Sequence, residues 1–303
     1  MFENLISVKA LSKENIIKIL EQAISFKEIN RRAIKKVPAL RGKTVVTCFY
    51  EPSTRTRLSF EIAAKRLSAD TLNLSKSGSS IEKGESLIDT VKNIEAMKAD
   101  LLIMRHPATG AAHLASDVLT CPVINAGDGI NEHPTQALLD AMTILEKRGS
   151  LDNLNILIVG DILHSRVARS NIYLLNKFGA KIKVYAPPMM LPRNIEHLNV
   201  EKTYDFKEAI GNSDVVMLLR VQMERQNKSL FPSVREYSKY FGFSYNMLEY
   251  LKDDAILMHP GPINRGVELD TVSADSKYSV ILEQVENGVA LRMAIIYMLI
   301  GGN

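Results

Sequence analysis

Short runs of β-branched and large apolar residues alternate with longer amphipathic segments along most of this chain. That alternation restricts the fold more than any other feature of the sequence. Residues 43–49, 100–104 and 122–125 read as buried strands, and 57–67 and 86–97 between them carry apolar residues at helical spacing. The second half repeats the pattern, with strands expected over 155–159, 181–185, 214–219 and 255–258 and helices over 165–178 and 206–212. Strands and helices in alternation predict the α/β class, a parallel sheet with helices on its faces. At roughly 150 residues per domain, 303 residues suggest two such domains. A helix over 134–147, followed by Gly149-Ser150, predicts the bridge between two doubly wound domains, 1–149 and 150–285. A final helix over 285–299 has no strand after it, so 286–303 is expected to join the first domain. Between 222 and 246 lies a polar stretch with weak periodicity, which reads as a lid, a binding loop or a disordered connection.

Charge and cysteine content exclude several partners. Thirty-eight basic against 34 acidic residues leave a surplus of four, far from the basic stripe of a nucleic-acid-binding domain. Two cysteines, Cys48 and Cys121, cannot build a disulfide scaffold or a cysteine-rich zinc site. The opening Met1-Phe2-Glu3-Asn4 lacks the basic and apolar regions of a secretory signal, and the apolar run 290–300 is interrupted by Arg292 and too short to span a bilayer. A cytoplasmic protein with no membrane and no nucleic-acid partner is expected.

The sharpest local signal is Tyr50-Glu51-Pro52-Ser53-Thr54-Arg55-Thr56-Arg57. A strand ends at Tyr50 and a helix opens near Thr54. Unsatisfied N–H groups and the dipole at a helix N-terminus suit a phosphate dianion. Ser53, Thr54 and Thr56 add hydroxyl donors, and Arg55 adds a fork that can bind phosphate through two parallel bonds. Basic charge there opposes the dipole, so two arginines are unfavourable without an anion. Other candidates sit where open α/β sheets bind ligands, beyond the carboxyl ends of strands. Arg105 follows the strand 100–104; His133 precedes Pro134 at a helix start, with Gln136 a short turn on. Arg166 opens the helix after the strand 155–159, and Arg220 ends the strand 214–219, so both fall on one rim of the second sheet. Two guanidinium forks there suit two carboxylates. The segment Val159-Gly160-Asp161 lacks G-x-G-x-x-G, which leaves a dinucleotide reading poorly supported. Lys83, in a Gly/Ser-rich loop over 77–85, reads by itself as part of a surface loop.

The Ser53-Thr54-Arg55-Thr56-Arg57 segment resembles the carbamoyl-phosphate signature of the aspartate and ornithine carbamoyltransferase family. The resemblance continues in order through Lys83-Gly84-Glu85-Ser86, Arg105-His106-Pro107, His133-Pro134-Thr135-Gln136, Val159-Gly160-Asp161, Arg220-Val221-Gln222 and His259-Pro260-Gly261-Pro262, and so covers essentially the whole chain. It implies that Ser53, Thr54, Arg55, Thr56 and Ser79 bind the phosphate end of carbamoyl phosphate. It further implies that Thr56, Arg105 and His133 meet the carbonyl oxygen, and that Gln136 with the main chain of Gly261 and Pro262 meets the amino group. Lys83, Arg166, Arg220 and Gln222 would bind aspartate, with Arg55, Thr56, Lys83, Arg105 and His133 as the catalytic set. The first domain would then hold carbamoyl phosphate and the second aspartate, transfer being direct, aided by closure of the domains and of the 222–246 connection. The products are N-carbamoyl-L-aspartate and phosphate, an early step of pyrimidine synthesis. No cofactor and no metal are implied.

The family also implies a homotrimer in which the Lys83 loop of one subunit completes a neighbour's site, and it leaves room for a larger assembly with regulatory chains or a dihydroorotase. Glu82 stands where some members carry a second lysine, so no ligand role is assigned to it. Ornithine transferases share the phosphate half but typically carry an Asp with a Ser-Met-Gly segment and a His-Cys-Leu-Pro motif, neither of which is present. A cationic clamp favours an acidic acceptor, because it would repel the ammonium of ornithine. An ornithine acceptor is the alternative within the class, and a catalytically silent scaffold paralogue the alternative outside it.

Overall fold

The computed structural model describes residues 2–75, 84–221 and 233–301. Ser79, Lys83 and Gln222, and the departure at Glu82, lie outside them. The chain forms two compact units, residues 1–142 with 286–303, and residues 143–285.

In the first unit, α1 (Lys13–Arg31) precedes β1 (Thr44–Phe49), α2 (Thr54–Arg66), β2 (Asp70–Ser75), α3 (Leu87–Ala96), β3 (Leu101–His106), α4 (Ala111–Val118) and β4 (Val123–Asp128). The strands form one parallel sheet in the order β2-β1-β3-β4, with Val45 of β1 level with Leu101 of β3. Parallel strands covered on both faces bury most of their side chains: β3 opens with the apolar run Leu101-Leu102-Ile103-Met104, and β4 is buried throughout. Val46, Cys48, Val91, Leu102, Met104 and Val123 form one of the resulting cores, at about 1.5–3 kcal/mol for each large side chain removed from water.

The helix α5 (Pro134–Arg148) leads into the second unit. There β5 (Asn155–Val159), α6 (Arg166–Asn176), β6 (Lys181–Tyr185), β7 (Val200–Lys202), α7 (Phe206–Asn212), β8 (Val215–Leu218), α8 (Val234–Phe241), β9 (Ile256–Met258) and α9 (Thr271–Ala274) follow, before α10 (Ile281–Ile300) returns to the first unit. The second sheet is also all parallel, in the order β7-β6-β5-β8-β9. Leu157, Phe206, Ile210, Val216, Leu218, Phe243 and Leu257 pack in its core. Both sheets are the α/β arrangement that the alternation predicts. Among the described residues, no helix is long and apolar enough to cross a membrane.

Several elements differ from the sequence reading. The two compact units divide at 142/143, inside α5, a few residues before the boundary expected at 149/150. The last turn of α5 explains this: Arg148 pairs with Asp254 at 2.6 Å and Asp214 at 3.7 Å, and Lys147 with Glu283 at 2.9 Å, all partners in the second unit. The irregular connection expected over 222–246 contains α8, capped by the Ser233 hydroxyl, which accepts from the Glu236 N–H. Val234, Tyr237 and Phe241 stand at helical spacing in it, but over eight residues only, of which Tyr237 alone is buried, at 1% exposure. Residues 222–232 of the same stretch lie outside the described residues. Edge strands β2 and β7 went unread because an edge need not be apolar: Asp70-Thr71-Leu72-Asn73 is largely exposed. The helices α1 and α4 also lie outside the sequence reading, although Ile16, Ile19, Leu20 and Ala23 give α1 a helical stripe.

Candidate active site

In the first sheet the chain runs outward from β1 to β2 and then returns to place β3 on the other side of β1. The crevice at such a reversal, beyond the carboxyl ends of the strands, is where open α/β sheets bind ligands. Here those ends carry the donor-rich turn after β1 and Arg105 on β3. Phe49 and Arg105 are level in the sheet, and the Tyr50 N–H donates to the Arg105 carbonyl at 2.9 Å.

Ser53 is the N-cap of α2, yet its hydroxyl makes no capping bond. The serines that cap α1, α3, α6 and α8 each accept from an amide three residues on. The first turn of α2 also has no acidic residue. Hence the groups that elsewhere in this protein neutralise a helix N-terminus are not used at α2, which fits an anion as their replacement. Arg57 lies 3.6 Å from Glu61 along its own helix, whereas Arg55 is exposed at the helix start beside Thr54 and Thr56.

Arg105 is oriented by a residue to which the sequence reading gave no role. Its Nη2 lies 2.8 Å from a Glu51 carboxylate oxygen, and its Nη1 donates to the Ala126 carbonyl at 3.4 Å. Glu51 comes from the turn after β1, so one carboxylate ties that turn to the end of β3. A lone acid in a turn otherwise made of donors was the signal that could have found it.

His133 is buried at the start of α5. The loop before it is held by Asp128, whose carboxylate accepts from Gly110 N at 2.7 Å, Asn125 Nδ2 at 2.8 Å, Asn131 Nδ2 at 3.1 Å and Glu132 N at 3.1 Å. Glu132 in turn accepts from the Ser7 hydroxyl and from Val8 N, the latter at 3.0 Å. Gly129 adopts φ +47, and a Cβ there would come within 2.8 Å of the Thr109 backbone nitrogen, so the loop requires glycine. One turn into α5, Gln136 Nε2 donates to Asp140 at 2.9 Å. Ser53, Thr54, Arg55, Thr56, Arg105, His133 and Gln136 thus all follow or end strands β1, β3 and β4 at the carboxyl edge of one sheet.

The second sheet reverses between β5 and β8, and Arg166 and Arg220 follow those two strands. Arg166 begins α6 and is 4% exposed; Arg220 is half-buried. Gly160, at φ +119, lets the turn after β5 pass the Leu219 carbonyl, which would lie 3.1 Å from a Cβ. The buried Asp161 lies 2.9 Å from His164 Nδ1 in the same turn. From the neighbouring strand β9 come His259, Gly261 and Pro262. Gly261 N–H donates to His259 Nδ1 at 2.8 Å, and the other ring nitrogen faces Glu268 at 3.3 Å. The same Glu268 accepts from the Asn264 side chain at 3.1 Å, closing a brace around the turn.

Burial pushes the Tyr50 phenol up to about 12, with Cys48 adding to it, so Tyr50 stays neutral at physiological pH. It likewise pushes the thiols of Cys48 and Cys121 up to about 12 and about 11. A thiol so rarely ionised is no nucleophile near pH 7. The first unit therefore offers donors for a phosphate and a carbonyl oxygen without a reactive thiol, and the second offers two guanidinium groups on one sheet edge.

Residues 3–146 match the family model described as aspartate/ornithine carbamoyltransferase, carbamoyl-P binding domain, and residues 152–299 the model described as its Asp/Orn binding domain. The chain belongs to the aspartate/ornithine carbamoyltransferase family. It is 56% identical over 301 residues to the aspartate carbamoyltransferase catalytic subunit of Geobacter sulfurreducens, covering 99% of this chain and 97% of that one. The crystal structure of aspartate transcarbamoylase from Trypanosoma cruzi in complex with N-(phosphonacetyl)-L-aspartic acid superposes with a TM-score of 0.91 at 30% identity, covering 98% of this chain and 96% of that one. Ornithine carbamoyltransferase from Pyrococcus furiosus reaches 0.88 at 29% identity, covering 99% and 98%. Fold alone therefore does not separate the two acceptors.

Proposed function

We propose that this chain transfers the carbamoyl group of carbamoyl phosphate to the amine of L-aspartate, giving N-carbamoyl-L-aspartate and phosphate. The observation that carries this reading is positional: Ser53, Thr54, Arg55, Thr56 and Arg105 follow or end the strands at the reversal of the first sheet, and Arg166 and Arg220 follow the two strands at the reversal of the second. The high identity to catalytic subunits named for aspartate supports the choice of acceptor.

In this reading the first unit is the carbamoyl-phosphate unit. The free N–H groups of α2, with Ser53, Thr54 and Arg55, hold the phosphate, and Thr56, Arg105 and His133 donate to the carbonyl oxygen as negative charge develops on it. Donors already aimed at that oxygen need no reorganisation as the carbon becomes tetrahedral. Gln136 and the main chain at Gly261 and Pro262 hold the amino group. Arg166 and Arg220 bind the two carboxylates of aspartate, and Lys83 and Gln222 join them. Holding the amine against the carbonyl carbon contributes an effective molarity that can reach about 10⁵ M. Arg55 and the helix terminus stabilise the departing phosphate dianion.

Phosphate release from carbamoyl phosphate, measured with L-aspartate and L-ornithine as competing acceptors, tests this function. Carbamoyl aspartate is the expected product; carbamoyl ornithine overturns the acceptor, and no release overturns the activity. In the same assay Arg220→Ala is expected to raise the KM for aspartate by about 10- to 100-fold, the loss of one hydrogen bond to a charged group, with the KM for carbamoyl phosphate nearly constant. Unchanged saturation by aspartate removes Arg220 from the clamp.

The functional unit in this reading is a cytoplasmic homotrimer with shared sites. Mixing inactive Arg55→Ala and inactive Lys83→Ala trimers and allowing subunit exchange is expected to restore activity, because some sites then combine an intact Arg55 with a neighbour's intact Lys83. If exchanged trimers stay inactive, the shared site is wrong.

A further inference from the structure

Behind Gln136 lie two buried side chains, Asp140 and Arg292, that the reaction as described does not use. Asp140, one helical turn along α5, is fully buried at 0% exposure and accepts from the Gln136 amide nitrogen at 2.9 Å. Arg292, on α10, is 3% exposed and reaches three elements at once. Its Nη1 donates to the Gly288 carbonyl at 3.0 Å, its Nη2 to the Thr135 hydroxyl at 3.4 Å, and its guanidinium lies 4.9 Å from the centre of the Phe60 ring of α2. Room for it is made by Gly288, where a Cβ would stand 2.6 Å from Nη1. Burial pushes the guanidinium down to about 9, while the Asp140 charge works in the other direction.

An ionised carboxylate can only accept hydrogen bonds. The Gln136 amide accordingly turns its NH2 end to Asp140, donating at 2.9 Å, and its oxygen is left for a donor. We propose that Asp140 is a positioning residue, with Arg292 as its buried counter-charge, which fixes the Gln136 amide so that its oxygen accepts from the carbamoyl NH2 and the site selects an amino over a methyl substituent. This rests on the reading of Gln136 given above and adds the device that orients it. Without Asp140 the amide is free to turn its own NH2 toward the substrate, donor against donor.

Acetyl phosphate, which carries CH3 where carbamoyl phosphate carries NH2, is the probe. In the full-length enzyme, the KM for carbamoyl phosphate and the inhibition constant of acetyl phosphate are measured for wild type, Asp140→Asn and Gln136→Met. Asp140→Asn is expected to weaken carbamoyl phosphate about tenfold, the size of one lost hydrogen bond, while acetyl phosphate changes less than about threefold, so that selectivity narrows. Equal weakening of both, which a loosened structure would cause, or no change in either overturns the proposal. Removing one member of a buried charge pair is strongly destabilising, whereas removing both is often tolerated. The double variant Asp140→Asn with Arg292→Met therefore keeps the test if the single variant does not fold, with the same narrowing expected and the same two outcomes against it. Gln136→Met separates the two levels: if it leaves selectivity unchanged, the reading of Gln136 fails; if it narrows selectivity and Asp140→Asn does not, only the positioning role fails.

Discussion

Arg55→Ala is expected to lower kcat/KM for carbamoyl phosphate by about 10²- to 10³-fold, the effect of deleting one charged donor from a site where negative charge develops. Stability should stay within about 0.5 kcal/mol, as for other surface substitutions. The side chain is exposed, and its charge sits at the positive end of α2. Two measurements separate binding from folding. Turnover should fall, while thermal unfolding without ligand should match wild type. Inorganic phosphate should raise the melting temperature of wild type more than that of the variant, because a ligand stabilises only the state that binds it. Near-normal turnover would remove Arg55 from the phosphate site.

Arg105→Ala should lower kcat itself by about 10²- to 10³-fold, since Arg105 is assigned to charge that appears mainly in the transition state. This variant, unlike Arg55→Ala, also strips a partner from the half-buried Glu51, to which Arg105 is bound at 2.8 Å. A lower melting temperature is therefore expected along with the lost rate. Arg105→Lys should not restore activity. A single ammonium cannot reproduce a fork that reaches Glu51 and the Ala126 carbonyl together and still presents a donor to substrate. Steady-state kinetics at saturating aspartate decide the matter: a higher KM for carbamoyl phosphate with normal kcat would make Arg105 a binding residue and not an oxyanion donor.

The two halves of the site were not equally legible. The turn Ser53-Thr54-Arg55-Thr56 announces an anion site within a few residues, because a helix start, hydroxyl donors and an unfavourable positive charge all occur in one local window. Arg166 and Arg220 carry no such local signal, and only their positions after two strands made them candidates. Glu51 and Glu268 were missed because the arginine and the imidazole they face come from other parts of the chain, whereas Asp140, four residues after Gln136 on a predicted helix, could have been read from that spacing. The strand β2 was missed because it lies on a sheet edge and is largely exposed; the helix α8 does carry Val234, Tyr237 and Phe241 at helical spacing, but its eight residues stand in an otherwise polar stretch.

By itself the sequence determined the α/β class and the kinds of group available for chemistry. Both depend on short-range patterns, the apolar runs of buried parallel strands and the composition of a single helix start. Strand order was decided only in the tertiary structure. The neighbours β1 and β3, and β5 and β8, are separated in the chain by other elements, and their adjacency makes the two chain reversals beside which Ser53, Thr54, Arg55, Thr56 and Arg105, and Arg166 and Arg220, stand. The same holds for Arg292, which meets Thr135 across 157 residues of chain. Such a contact depends on how the last helix packs, through burial and hydrogen bonds summed over whole elements, and no local stretch of residues encodes it.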